Sequence, residues 1–153
     1  MEYGTIEREI HIDATPDVVY DVITQPEHIA RWWGFDASFP ATPGGDGRMT
    51  RQRRDGNGTL VVPVSVVEAD APRRFVFRWV HPEGEPVTPE NSFLVTFELV
   101  PTARGTLLRL TEAGFREIGW AAAKLEAHYQ DHSVGWDEHL PLLAAYAAGV
   151  VRA

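Results

Sequence analysis

The chain reads as an α+β fold: an antiparallel meander of strands closed by one long C-terminal helix, with two short helices set after the first strand. Three observations predict it. Apolar residues alternate with period two through a series of segments before residue 112. The period turns helical from about Trp120 to Gly149, and proline and glycine mark the joints between segments.

In TIEREIHI, Ile6, Ile10 and Ile12 share one face and Glu7, Glu9 and His11 the other, the pattern of a half-buried strand that Arg8 interrupts. Thr15-Pro16 offers a cap and a first-turn proline to a helix carrying Val18, Val19, Val22 and Ile23. Pro26 opens a second helix, PEHIARWW, which Gly34 is placed to close in the left-handed conformation. ATPGGDG then punctuates the chain. RMTRQRR and TLVVPVSVVEA flank DGNG, a hairpin signal because its residues tolerate positive φ. Pro63 cannot donate to a ladder and marks an edge, a bulge or a break.

Beyond the Ala71-Pro72 turn, Phe75, Phe77 and Trp79 give a strand one aromatic face. HPEGEPVTPEN, rich in proline, glycine and acid, reads as a mobile solvent loop and a cover for an opening. Phe93, Val95, Phe97 and Leu99 alternate, as do Thr106, Leu108 and Leu110 after a turn at 103–105. The last helix puts Leu125, Tyr129, His132, Trp136, Leu140, Leu143 and Ala147 on one stripe. At about 45 Å it outreaches eight-residue strands of about 26 Å, so one end overhangs the sheet. Pro141 within it predicts a kink.

A length of 153 residues fits one domain, 1–153, with a substantial core. With 44% hydrophobic and 24% charged residues the composition is that of a globular protein. The net charge of -8 repels phosphate backbones and anionic headgroups, so no nucleic acid and no membrane surface is expected as a partner. The lack of cysteine removes disulfides, thiolate catalysis and cysteine-based zinc sites. MEYGTIEREIHI has no basic segment followed by an apolar run, and nowhere do about 18 apolar residues run together. No membrane insertion and a cytoplasmic location are expected.

IHIDATPDVVYDVITQPEHIARWWG combines an Ala-x-Pro-x-x-Val helix start with a Trp-Trp pair after a short second helix. Pro43-Gly44-Gly45, VVEADAPRRFVFRW, LVTFELVPTARGTLLRLTEAG and Gly135-Trp136 with Leu140 and Leu143 follow in order. Together they resemble the START-like (SRPBCC) superfamily, in its bacterial branch related to the heat-shock-protein-90 ATPase activator. The resemblance covers almost the whole chain; Pro141 departs from it. It implies the helix-grip fold, a curved antiparallel sheet wrapped around the long C-terminal helix, and a cavity between the two. It leaves the reaction open, because the superfamily hosts carriers, cyclases, hydrolases and co-chaperones on one scaffold.

Trp32, Phe35, Phe77, Trp79, Phe97 and Trp136 are expected to face one interior, walled further by Val95, Leu108, Leu110 and Leu140. Each fills a core as readily as it lines an apolar pocket. Trp32 and Trp33, about 100° apart on a helix, cannot both point the same way, and one is a candidate to guard a pocket mouth. A dry void of about 300 Å³ would cost up to about 7 kcal/mol, so a pocket of that size is expected to be occupied, hydrated or filled by the aromatics.

His132, one turn before Trp136, is placed to hydrogen-bond a ligand or to act as acid or base, or else is satisfied by backbone or water. His128, His132 and His139 lack the glutamate of a zinc-protease helix, and no metal and no cofactor is expected. Arg48, Arg51, Arg53 and Arg54 read as a charged, solvated edge strand; Arg51 shares parity with Met49 and could instead reach inward to an anionic group. Glu112 shares parity with Leu108 and Leu110 and could be a cavity carboxylate, but its strand-end position points to solvent. No catalytic set stands out.

A cavity holding an apolar or lipid-like small molecule is therefore the first functional expectation. The alternatives are a cyclase- or hydrolase-type enzyme using His132 with Arg51 or Glu112, and a co-chaperone-like protein-interaction module. A homodimer is left open.

Overall fold

The computed structural model describes residues 4–53, 55–81 and 85–150. In chain order its elements are β1 (Ile6–Ile12), α1 (Pro16–Thr24), α2 (Pro26–Trp32), β2 (Asp36–Ser38), β3 (Asp46–Gln52), β4 (Thr59–Asp70), β5 (Arg74–Trp79), β6 (Phe93–Thr102), β7 (Gly105–Ala113) and α3 (Ala122–Ala148). Among the described residues the strands form one curved antiparallel sheet, ordered β1-β7-β6-β5-β4-β3-β2. The meander thus runs from β2 to β7 in chain order, and β1 returns to pair with the last strand. This is the meander and closing helix that the period change predicted, in the helix-grip arrangement that the family resemblance implies.

The short helices begin at their prolines, as expected, although the Thr15 side chain makes no capping bond. Gly34, at φ 81°, ends the second one and donates its N–H to Ile29 O at 3.2 Å. A three-residue strand such as β2 is too short to show a period, and the sequence reading missed it. It pairs with Arg48–Thr50 of β3, and the close approach requires glycine at position 47, where a Cβ would meet Ser38 O and lie 2.7 Å from Phe39 Cα.

Because β2 and β4 flank it, β3 is not the edge strand the arginines suggested. Arg48 and Arg53 are exposed while Arg51 is partly buried, and Arg54 lies outside the described residues. Pro63 pairs with Arg48 at a point where the β5 ladder, whose first rung is Val64 with Trp79, has not begun. β4 is locally an edge there, so the missing donor breaks no ladder. The bulge falls further on, between Val66 and Glu68. The mobile-loop expectation for HPEGEPVTPEN rests partly on residues 82–84, which lie outside the described residues.

The core fills the space between the concave sheet face and the helices. α3 contributes Trp136, Leu140, Leu143 and Ala147 from its C-terminal half and runs on through Pro141 as helix. Arg8, on the same face of β1 as Ile6 and Ile12, meets Asp137 of α3 with Nε 2.8 Å from Oδ1. The residue that broke the strand pattern is thus a partner for the helix lying over it, at a partly exposed site where such a pair contributes little. No helix among the described residues is long and apolar enough to cross a membrane.

Removal of Trp120 and everything after it takes away four buried side chains of the common core. The truncated chain is expected to show no cooperative transition in urea unfolding followed by circular dichroism.

Candidate functional site

The strand end that carries Glu112 is enclosed. β7 lies between β1 and β6, and Glu112 stands opposite Ile6 on one side and Val95 on the other. With Leu108 and Leu110 it faces the interior beneath α3, and it is 0% exposed. The expectation of a solvent-facing carboxylate is therefore overturned: parity decides the side chain's direction, and both neighbouring strands extend far enough to cover it.

A carboxylate so placed needs donors. Trp79 Nε1 donates to Oε2 at 2.7 Å, Trp136 Nε1 donates to Oε1 at 2.8 Å, and His132 Nδ1 lies 2.8 Å from Oε2. One carboxylate thus joins β5, β7 and two successive turns of α3. The His132 side chain is only 10% exposed. Burial alone would push its pKa down and is the largest single influence; the hydrogen bond and negative charge of Glu112, with Asp131 adding, together outweigh it, and the pKa is raised. His128, one turn earlier with its ring centroid 6.0 Å away, moves the other way. Burial lowers it first, then the neighbouring His132 and Lys124, against a small opposing pull from Asp131.

A cavity of about 330 Å³ opens beside this network, between β3, β4, β5 and α3. Its inner wall is indole: the Trp33 ring centroid lies 5.4 Å from those of Trp79 and Trp136, which are 5.9 Å apart. Leu60 and Val62 form the sheet side, Gly135 leaves a gap in the helix side, and His128, Asp131 and His139 stand along the same helix. Val80, with φ 67° in a region β-branched residues rarely occupy, turns the chain off β5 at the rim. Arg51 lies with its guanidinium carbon 5.1 Å from the Phe35 ring centroid.

Of the residues singled out from sequence, Phe35, Arg51, Trp79, His132 and Trp136 line this cavity. Phe77, Val95, Phe97, Leu108, Leu110 and Leu140 are buried in the core and are not among the cavity's lining residues. Trp32 is also core, with its indole N–H donated to Val22 O at 2.9 Å. Both tryptophans of the pair are buried: Trp33, the C-cap residue, keeps helical backbone with its N–H donated to Ile29 O at 2.9 Å, and its ring turns back to stack on Trp32 with centroids 4.8 Å apart. Trp33 was missed as a lining residue; its signal was Gly34, which ends the helix just beyond it. His139 Nδ1 lies 2.8 Å from Gly135 O, and among the described residues no three candidate metal ligands gather.

A curved antiparallel sheet gripping a long helix, with a cavity between them, defines a START-like protein. The family pattern described as activator of Hsp90 ATPase homolog 1-like protein matches residues 13–148. The chain belongs to that family. Solved structures agree in fold. A Mesorhizobium loti protein matches with TM-score 0.73 at 21% identity, over 97% of this chain and 99% of that one. A Nitrosomonas europaea protein matches with TM-score 0.76 at 17% identity, over 96% of each chain. A protein in the dynemicin biosynthetic locus matches with TM-score 0.65 at 22% identity, over 94% of this chain and 46% of its own. None of the curated proteins matches the chain.

The Glu112–His132 pair carries a signed pH dependence. With its folded-state pKa raised above the ordinary 6.5, His132 adds stability that is fully present below about pH 6.5 and is lost as pH rises through the raised value. NMR titration should place the His132 midpoint above that of a free histidine. Glu112→Gln should bring it down and flatten this part of the stability profile.

Proposed function

We propose that the chain is a small-molecule binding domain that holds a hydrophobic or aromatic ligand in the cavity between β3, β4, β5 and α3. The observation that carries this reading is the cavity wall, three indoles with Leu60 and Val62, beside polar groups confined to a few positions. Apolar lining with a small number of placed polar groups is the ordinary character of a ligand site. The fold is consistent with it, and a chain without cysteine suits a reducing cytoplasm. A protein-docking role has less support: the large apolar side chains exposed among the described residues are Val67, Val100, Val134 and Leu142, spread over three elements.

Gly135 offers a clean test. It lines the cavity from α3, and a Cβ built there meets nothing within 4 Å. Gly135→Leu should fill the space without disturbing the core, and leucine is the better helix former by up to about 1 kcal/mol. With the neutral probe N-phenyl-1-naphthylamine, the wild type should show saturable quenching of tryptophan fluorescence and a raised Tm. Gly135→Leu should lose both responses while melting no lower than the wild type. An unresponsive wild type would remove the binding reading.

A second reading, an acid–base enzyme in the same cavity, is favoured by the two histidines. Glu112 holds His132 at Nδ1, leaving Nε2 for a guest, and the environments of His132 and His128 drive their pKa values apart as an acid and a base require. Under this reading, 2-acetonaphthone in D2O should take up deuterium beside its carbonyl faster with the protein than without it. His132→Gln should abolish the difference seen by proton NMR.

A further inference from the structure

We infer that the cavity selects guests bearing a carboxylate on an aromatic or apolar body, and that Arg51 reads that carboxylate. The inference rests on the binding reading above and names the class of ligand. Among the described residues Arg51 Nε is buried with no hydrogen-bond partner. A buried guanidinium N–H without an acceptor is destabilising, and a residue on a flexible stem would ordinarily escape to water. Arg51 lies instead over the Phe35 ring at the cavity wall, its guanidinium carbon 5.1 Å from the ring centroid. The guanidinium edge that Arg51 presents at the cavity wall can pair with one oxygen of a carboxylate, and a small turn of the side chain would bring the unpartnered Nε to the other.

The remaining lining suits the rest of such a molecule. Beyond Arg51 the cavity offers indole faces and the aliphatic Leu60, Val62 and Val80, with His128, Asp131, His132 and His139 along the helix side, and 330 Å³ corresponds to roughly eleven waters, space for a two-ring aromatic. Competing carboxylates within the protein are accounted for. Glu112 is enclosed by its own three donors, and Asp131, on the lining helix, is solvent-exposed and therefore screened. An overall charge of -8 does not cancel a local cation in a cavity with apolar walls; it limits which anions arrive, and favours those whose apolar body also gains from burial.

The test compares 2-naphthoate with its methyl ester by isothermal titration calorimetry on the full chain. The wild type should bind the acid at least about tenfold more tightly than the ester, as a charge-assisted pair requires. Arg51→Gln should reduce the acid-over-ester preference to within about threefold, and Arg51→Lys, which keeps the charge and loses the fork, should fall between. Equal binding of acid and ester by the wild type would overturn the inference and leave the pocket standing. A preference that survives in Arg51→Gln would overturn the assignment to Arg51. Binding of neither compound would remove the pocket reading and this inference with it. If Arg51→Gln fails to fold, the wild-type comparison still decides the preference and Arg51→Lys the assignment: a preference undiminished in Arg51→Lys would overturn it.

Discussion

The Glu112 carboxylate, shut away from water, binds the architecture together because its donors come from separate elements. Trp79 belongs to the sheet, His132 and Trp136 to successive turns of α3, and each contributes one bond to the same two oxygens. Loss of the carboxylate would strand two indole N–H groups and an imidazole in the interior, at about 1–3 kcal/mol for each unpaired donor. Two indoles thus donate along their edges at the carboxylate while their rings also stand in the cavity wall. The register of α3 on the sheet and the shape of the cavity are consequently set by the same contact.

Much of the fold is written in periodicity. Alternation located β1 and β4 to β7, the DGNG turn located the hairpin, and the helical stripe located α3 to within two residues at its start. What escaped depended on a third dimension that period does not encode. β2 is three residues long and exists because Gly47 lets it approach β3. Arg51 looked like part of a charged edge because the strand that flanks β3 could not be seen.

The site was legible in its residue types and less so in its connections. Trp79, His132, Trp136 and Phe35 were picked out by type and parity and stand in the cavity wall, Arg51 joined them only as the less favoured reading, and the residue that bonds three of them was placed in solvent. Parity alone would have turned Glu112 inward; the competing signal, its nearness to a strand end, prevailed because a sequence does not show how far neighbouring strands reach. Trp33 shows another limit. The angle between successive helical residues sets where a side chain leaves the backbone, and the Trp33 ring, on backbone that is still helical, turns back from there to stack on Trp32.

The packing of Trp33, Trp79 and Trp136 at 5.4 to 5.9 Å has an optical consequence. Transition dipoles of indoles this close couple excitonically, and Trp32, stacked on Trp33 at 4.8 Å, couples with them, so the near-ultraviolet circular dichroism of the four rings depends on their mutual tilt. The chain therefore carries an intrinsic spectroscopic gauge in the wall of its cavity, and a rotation of any one ring by a few degrees changes the sign or strength of the coupled bands without any label being attached.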